Sequence, residues 1–254
     1  MGFNCGILGL PNVGKSTLFN ALTSTQQAES KNYPFCTIEP NVGKVAVNDK
    51  RLKLIADISE SHSVISNQLE FVDIAGLVKG ASKGEGLGNK FLSNLSEVDA
   101  IIHVVRCFED SEITHVDQTL SPLNDIEVIE TELLISDYSK IENTIENIKK
   151  KNKGKKISPE LIETLEEAKK KLNEGVFLNE IQINQNQFKI LSNFNFLTLK
   201  PIIYVSNVDE SSIQVGNILS QQVDEYAEKK KSKNLKISAQ IESEISLIED
   251  QNEK

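Results

Sequence analysis

Short apolar segments recur along the chain, and six of them predict the strands of a β-sheet: Cys5–Leu8, Val42–Val47, Leu69–Val72, Ala100–Val105, Pro201–Val205 and Leu235–Ile237. Several are continuous apolar runs, which is typical of strands that are buried on both faces of a mostly parallel sheet. Helical patterns separate most of them, so we predict an α/β fold with helices on both faces of the sheet. In such a sheet the functional loops lie at the carboxyl ends of the strands.

The alternation of strands and helices stops between residues 126 and 196, where apolar residues recur mostly at three- and four-residue steps. One such stripe runs from Ile126 to Ile148, and a second runs from Leu161 to Leu172. Between them, the run Lys149–Lys156 contains six lysines in eight residues. We therefore predict an inserted α-helical hairpin or coiled-coil domain with a basic tip. The predicted domains are residues 126–196 for the insertion, and residues 1–125 with 197–254 for the sheet.

A phosphate-binding motif, G-x-x-x-x-G-K-[ST], occupies Gly9–Ser16. A predicted strand precedes it and a helical segment follows, and in that context backbone N–H groups and the positive end of the helix dipole converge on phosphates. Lys15 is predicted to contact the β- and γ-phosphate oxygens as a catalytic residue, and the Ser16 hydroxyl to bind Mg²⁺. The motif predicts a P-loop NTPase fold with a Ras-like G domain. Its predicted nucleotide-binding residues are Asn12, Val13, Gly14, Lys15, Ser16 and Thr17.

A second motif, D-x-x-G, follows the third predicted strand at Asp73–Gly76. Asp73 is predicted to hold Mg²⁺ through a water molecule, and the Gly76 N–H to contact the γ-phosphate during catalysis. Thr37 lies between the two motifs and is the candidate for a second hydroxyl ligand of Mg²⁺.

The residue after this motif, Leu77, cannot hydrogen-bond to the attacking water, whereas Ras-like enzymes place a glutamine there. Slow intrinsic turnover is therefore predicted, and three substitutes for the glutamine stay open. Asn12 could help to seat K⁺ in place of an arginine finger, His115 could position the water, or a partner could supply a group in trans. An isolated histidine is more often an ordinary surface residue.

The segment after the fifth predicted strand replaces the guanine-reading N-K-x-D motif with the sequence Asn-Val-Asp-Glu at residues 207–210. Glu210 is one methylene longer than the usual aspartate and would crowd a guanine edge. The Asn207 carboxamide matches the N6 donor and the N7 acceptor of adenine. We therefore predict that ATP is preferred to GTP. The predicted base-pocket residues are Asn207, Val208, Glu210, Ser238 and Ala239, the last two through backbone N–H groups.

Composition and charge argue against several classes of protein. The net charge of −9 disfavours general nucleic-acid binding by the whole surface. No apolar run approaches the ~20 residues of a membrane span, no signal peptide is visible, and the three cysteines lie too far apart to suggest a zinc site or disulfides. A cytoplasmic protein without a membrane partner is predicted.

Two basic runs have alternative interpretations. The run Lys149–Lys156 is either a solvated loop or a tip that contacts RNA phosphates and releases their counterions. The run Lys229–Lys233 falls where a helix should end, and cations stabilise that end of a helix.

Together these motifs resemble those of the YchF/Obg-like ATPase family, a branch of the P-loop GTPases. The resemblance rests on residues 9–16, on 32–41 (NYPFCTIEPN), on 73–89 (DIAGLVKGASKGEGLGN) and on 207–210, and it covers essentially the whole chain. It implies Mg²⁺-dependent hydrolysis of ATP to ADP and phosphate, binding to the ribosome (50S or 70S), a role in translation or stress responses, and a C-terminal TGS domain. The chain ends at residue 254 in a charged helical pattern, so we expect a fragment that lacks the TGS domain.

Two classes of function stay open. One is an enzyme, a regulatory ATPase whose turnover matters. The other is a nucleotide-gated binding module, in which the ATP and ADP states present different surfaces and hydrolysis is only a timer. Leu77 favours the second class, because it predicts slow turnover. For the substrate, the alternative is GTP, in a GTPase translation factor.

Overall fold

A six-stranded sheet forms the centre of the structure, a computed structural model that describes residues 2–29, 42–74, 87–109, 120–151 and 158–248. Its strands are β1 (Phe3–Leu8), β2 (Val42–Ala46), β3 (Gln68–Asp73), β4 (Ala100–Arg106), β5 (Ile202–Asn207) and β6 (Lys233–Ile237). They lie in the order β2-β3-β1-β4-β5-β6, and all neighbouring strands are parallel except β2 and β3. All six predicted strands are present, and the prediction of a mostly parallel sheet is confirmed.

Eight α-helices are present in the described parts of the chain. They are α1 (Lys15–Glu29), α2 (Lys50–Ile58), α3 (Leu87–Ser96), α4 (Pro122–Lys151), α5 (Pro159–Asn173), α6 (Gln185–Ser192), α7 (Ile218–Lys229) and α8 (Ala239–Ser246). α1 packs against α8 and against strands β1, β2 and β3, while α7 packs against β5, β6 and α4. The helix predicted after the phosphate-binding motif is α1.

The core beside the phosphate-binding motif is apolar and closed to water. Five of its members from β1, α3 and β4 are at most 1 % exposed: Ile7, Leu8, Leu95, Ile101 and Val104. Protein interiors of this kind are packed about as densely as organic crystals. The carboxyl ends of β1 and β4 are therefore fixed relative to each other, which gives the loops that follow them a rigid base.

Helices α4, α5 and α6 lie between β4 and β5 in the chain, in the region predicted as an insertion. Ile141 and Ile145 of α4 share a core with Leu165 and Leu172 of α5. The first half of α4 instead packs on the sheet, through Ile129. Ile126, at the start of the stripe, packs in a third cluster with Val223, so one apolar stripe contributes to three cores. The division into domains at residues 126 and 196 stays a prediction, and residues 152–157 of the basic tip lie outside the described residues.

A buried carboxylate connects the middle of α4 to the segment that leads into β5. Asp137 is fully buried and accepts hydrogen bonds from the Leu197 N–H at 3.0 Å and from the Thr198 N–H and hydroxyl, each at 2.7 Å. Burial raises the pKa of Asp137, and these hydrogen bonds oppose the shift. The helical region is thereby joined to the strand that ends at the predicted base motif.

Candidate nucleotide-binding site

The phosphate loop, residues 9–14, runs from the end of β1 to the start of α1. Two of its glycines are required by close approach: a Cβ at Gly9 would collide with the Val104 carbonyl, and one at Gly14 with the Asn207 side chain. Gly14 has φ +96°, and Asn12 is left-handed with φ 62°. The loop therefore leads directly into the N-terminus of α1, where N–H groups without an intrahelical partner favour the binding of phosphate.

Lys15 begins α1 and is only 7 % exposed. Its Nζ donates a hydrogen bond to the Leu10 carbonyl oxygen at 2.6 Å, so the ammonium group lies against the loop. Burial lowers the pKa of Lys15 to about 8, and the nearby charge of Asp73 opposes the shift. A phosphate group at this position would favour the charged form of the side chain, because a neighbouring anion raises a lysine pKa.

The Ser16 hydroxyl and the Asp73 carboxylate meet between the start of α1 and the end of β3. Ser16 Oγ donates to Asp73 Oδ2 at 3.0 Å, while Asp73 Oδ1 is buried and has no hydrogen-bond partner. A hydroxyl beside a carboxylate with an unused oxygen fits Mg²⁺, which takes oxygen ligands and keeps substrate phosphates and waters among them. Within the described ranges, no group of three or more His, Cys, Asp or Glu could hold a metal ion. A cation at this pair would therefore need the phosphates of a nucleotide.

Not every predicted site residue can be placed. Thr37, Gly76 and His115 lie outside the described residues, as does Leu77, and their roles stay predictions. The other residues predicted to contact phosphate or metal, 12–17 and Asp73, lie together where β1 and β3 end.

A cleft of about 480 Å³ opens beside the phosphate loop, past the carboxyl ends of β4, β5 and β6. Asn12, Gly14 and Thr17 line it on the loop side, and residues 207–210 and 238–240 line it on the other sides. The phosphate loop and the predicted base motif thus border one cleft, whose size suits a small-molecule ligand.

Phe108 and Glu109 also line this cleft, although neither belongs to a motif recognised in the sequence. The buried Arg106 holds its guanidinium 4.7 Å from the centre of the Phe108 ring, and its Nε donates to the Phe108 carbonyl at 3.2 Å. A ring held in this way offers a flat surface on which a base can stack. The available signal was position, since Phe108 follows directly after β4 and functional loops follow strand ends.

Asn207 ends β5 and is 5 % exposed. Its Nδ2 donates to the Val13 carbonyl at 2.9 Å, and its Oδ1 accepts from the Ala239 N–H at 2.9 Å. The carboxamide therefore joins the phosphate loop to the start of α8. A carboxamide has a second N–H and a second lone pair. The predicted contact with adenine stays a prediction, and it would have to be made beside these two bonds.

The remaining base-motif residues differ in exposure. Val208 is buried against Val223, and its N–H donates to the Ile237 carbonyl at 2.8 Å. Ser238 is buried and caps α8. Glu210, in contrast, has an exposed side chain on the cleft. Among these residues, its carboxylate is the group most able to adjust to the edge of a bound base.

Comparison with known proteins identifies the family. The family model described as "50S ribosome-binding GTPase" matches residues 4–171. A relative from Pasteurella multocida, "Ribosome-binding ATPase YchF", is 47 % identical over 251 residues, which are 98 % of this chain and 69 % of that protein. The chain belongs to the YchF family. The YchF protein of Bacillus subtilis is 44 % identical to it, again over 98 % of this chain and 69 % of the relative.

A solved YchF structure has the same fold. The Schizosaccharomyces pombe YchF GTPase matches with a TM-score of 0.84 at 32 % identity, over 99 % of this chain and 69 % of that one. The names of the YchF relatives differ on the nucleotide, since the bacterial proteins are called ATPases and the S. pombe protein a GTPase. In the part of this chain that the structure describes, no helix is long and apolar enough to span a membrane.

Proposed function

We propose that this chain is a P-loop ATPase, a nucleoside-triphosphate hydrolase that binds ATP with Mg²⁺, releases ADP and phosphate, and associates with the ribosome. One observation carries the proposal: Lys15 and the Ser16–Asp73 pair lie beside the phosphate loop, which also borders a cleft of about 480 Å³. Ribosome association rests on the YchF relatives at 44–47 % identity, which are named ribosome-binding ATPases.

The residues of the phosphate loop would bind and orient the triphosphate. Backbone N–H groups at the start of α1 receive the phosphates, and Lys15 exchanges the Leu10 carbonyl for the β- and γ-phosphate oxygens. Ser16 and Asp73 would hold Mg²⁺, which when bound offsets the charge that develops on the transferred phosphoryl group. Thr37 and the Gly76 N–H are proposed to complete the metal and γ-phosphate contacts.

The preference for adenine is assigned to Asn207 and Glu210. Guanine presents N1–H and N2–H₂ donors that an aspartate fits, and the longer Glu210 side chain crowds that edge. The Asn207 carboxamide is the group that matches adenine N6 and N7. Phe108 adds stacking that is similar for every base, so it contributes affinity but not selectivity.

We infer slow turnover from Leu77, which cannot orient the attacking water. K⁺ seated with the help of Asn12, water positioned by His115, or a group from a partner would supply the missing function. If turnover stays slow with its partner, the chain is a nucleotide-gated binding module in which hydrolysis acts as a timer.

The lysine run at residues 149–156 is the proposed RNA contact, in a helical domain at residues 126–196 of a cytoplasmic protein. Two of its lysines form exposed ion pairs on the helices: Lys149 with Glu166 at 3.0 Å and Lys150 with Glu146 at 2.9 Å. Exposed pairs contribute only about 0–1 kcal/mol. Both lysines can therefore exchange their glutamate partners for phosphates.

The first experiment is equilibrium binding of ADP and GDP with Mg²⁺ to this chain, to Glu210→Asp and to the control Glu242→Asp on α8. We expect ADP to bind about tenfold or more tightly, about 1.4 kcal/mol. Glu210→Asp should narrow that difference, and the control should leave it unchanged. If GDP binds more tightly, the ATPase assignment is wrong and the chain is a GTPase with an unusual base motif.

The roles of the cation and of the partner are tested by phosphate release. Equal rates in K⁺ and Na⁺ salts would remove the K⁺ role of Asn12. Acceleration by orders of magnitude with ribosomes would indicate an enzyme whose turnover matters, and an unchanged slow rate would indicate the timer.

A further inference from the structure

Asn217 makes a hydrogen bond that its role at the start of α7 does not require. As the N-cap, its Oδ1 accepts from the Ser220 N–H at 2.9 Å, and its own N–H donates to Ser220 Oγ at 2.9 Å. These two bonds form a complete capping box. In addition, its Nδ2 donates to the Cys107 carbonyl at 2.7 Å, across 110 positions of the chain.

The carbonyl that Asn217 contacts belongs to the segment that carries Phe108. Cys107 is fully buried, and its N–H donates to the Asn207 carbonyl at 2.8 Å. Phe108 follows Cys107, and the Arg106 guanidinium contacts both the carbonyl oxygen and the ring of Phe108. The segment is therefore fixed by β5 on one side and by α7 on another, and its Phe108 end lines the cleft.

The turn on the opposite side of the base motif is held by its own serines. Asp209 accepts hydrogen bonds from the Ser211 hydroxyl at 2.5 Å and from the Ser212 hydroxyl at 2.9 Å, and these bonds lower the pKa of its carboxyl while burial opposes the shift. Asp209 directly precedes Glu210, and both residues line the cleft. The turn that presents Glu210 is thus held locally, whereas the Phe108 segment depends on the contact from Asn217.

We propose that Asn217 is a positioning residue of the base site: its Nδ2 fixes the Cys107 carbonyl, and through it the Phe108 ring, against the place of the base. Asn217 does not line the cleft itself, so it acts on the ligand only through these neighbours. The inference rests on the proposed function, because it assumes that a nucleotide base occupies the cleft.

The chain offers a matched comparison at α6. Asn184 caps that helix with the same capping box, in which its Oδ1 accepts from the Gln187 N–H at 2.9 Å and its N–H donates to Gln187 Oε1 at 3.0 Å. Within the described ranges, Asn184 Nδ2 makes no hydrogen bond. The two residues therefore share the cap and differ in the additional donor.

The test compares Asn217→Ser with Asn184→Ser. Serine keeps the cap about as well as asparagine but is too short to reach across to the Cys107 carbonyl. Binding is measured with Mg²⁺ for two probes: ADP, and inorganic tripolyphosphate, which has no base. For Asn217→Ser we expect ADP affinity to fall about tenfold, or 1.4 kcal/mol, with tripolyphosphate affinity nearly unchanged. Asn184→Ser should change neither.

The outcomes separate the two proposals. An unaltered ratio of ADP to tripolyphosphate affinity in Asn217→Ser overturns the positioning role alone, as does an equal loss for both probes. A wild-type chain that binds tripolyphosphate but not ADP overturns the proposed function, and the positioning role with it. If Asn217→Ser does not fold, Asn217→Asp serves instead: it keeps the cap, and its carboxylate cannot donate a hydrogen bond to the Cys107 carbonyl. The same selective loss of ADP affinity is expected from it.

Discussion

The side-chain nitrogen of Asn207 lies 2.9 Å from the carbonyl oxygen of Val13, so the end of β5 is hydrogen-bonded to a loop 194 positions earlier in the chain. The bond depends on the neighbouring Gly14, because a Cβ there would occupy the position of the Asn207 amide. The phosphate loop and the base motif are thus joined by a hydrogen bond. A substitution in the loop should therefore affect the binding of both the phosphates and the base of the ligand.

This connection predicts that Gly14→Ala loses nucleotide binding. Alanine would be strained at φ +96° and would also displace Asn207. We expect an ADP affinity at least about tenfold lower and a lower free energy of unfolding, by about 1–3 kcal/mol. Titration of ADP and urea unfolding provide the two measurements.

Gly175→Ala is the matched control for Gly14→Ala. Gly175 has φ +78°, but no atom lies within 4 Å of a Cβ built there. The control should therefore show only the cost of backbone strain, about 1 kcal/mol, with ADP affinity unchanged. Equal ADP affinity in Gly14→Ala and wild type would contradict the role given to the Asn207 contact.

Much of the fold was predictable because its signals are local. The buried run of β1 and the glycine spacing of the phosphate loop can be recognised in adjacent residues. The stripe of α4 predicted a helix, but not that Ile129 would pack on the sheet while Ile141 packs on α5. That outcome depends on how one long helix packs against several separate cores.

The site was less predictable than the fold, because several of its contacts join distant segments. Asn217 belongs to no motif recognised in the sequence, and its bond to Cys107 arises only when α7 meets the end of β4. The base contact of Asn207 stays a prediction, and the bonds of its carboxamide to Val13 and Ala239 had no signal in the sequence. Residue type and spacing do not specify such partners.

The buried ammonium group of Lys15 predicts that nucleotide binding takes up a proton at alkaline pH. The pKa of Lys15 is lowered by burial to about 8 in the free protein, so the group is largely neutral at pH 9, and a bound polyphosphate would restore its proton. ADP affinity should therefore fall above pH 8, by up to about tenfold per pH unit.

Calorimetry in buffers of different ionisation enthalpy measures this proton uptake. We expect a small uptake at pH 7 and about one proton at pH 9. Lys53→Met, which removes an exposed lysine of α2, should leave the uptake unchanged. Zero uptake at pH 9 would show that the Lys15 ammonium is not deprotonated in the free site.

The buried carboxylate of Glu130 predicts a large effect on stability. It accepts from the Tyr204 hydroxyl at 2.6 Å and from the Tyr226 hydroxyl at 2.8 Å, and Lys230 lies 3.5 Å away. Burial, and then the charge of Glu130, raise the pKa of both hydroxyls. Glu130→Ala leaves these donors without their acceptor and should lower the free energy of unfolding by about 3 kcal/mol.

Two variants make the Glu130 result specific. Glu130→Gln keeps an acceptor and should be less destabilising than Glu130→Ala. Glu127 lies about one turn earlier on the exposed face of α4, and Glu127→Ala should change the free energy of unfolding by no more than about 0.5 kcal/mol. Urea unfolding of the three variants gives the comparison, and equal values for Glu130→Ala and Glu127→Ala would refute the role of the buried bonds.

His103 predicts that the protein loses stability in mild acid. It lies in β4, beside Leu8 of β1 and Tyr204 of β5, and is 2 % exposed. Burial, and then the charge of Lys15, lower its pKa to about 3, whereas the unfolded chain binds a proton near pH 6.5. The stability that the neutral His103 contributes is therefore fully present above pH 6.5. It is lost as the pH drops toward 3, because only the unfolded state binds a proton at this histidine in that window.

The expected loss from His103 between pH 7 and pH 5 is about 2 kcal/mol. Urea unfolding at both values measures it, and His103→Leu should reduce the difference by that amount even if its stability at pH 7 also changes. His62→Gln, at an exposed position, should keep the wild-type difference. If His103→Leu and wild type lose the same stability between pH 7 and pH 5, the acid sensitivity does not originate in the histidine beside the nucleotide site.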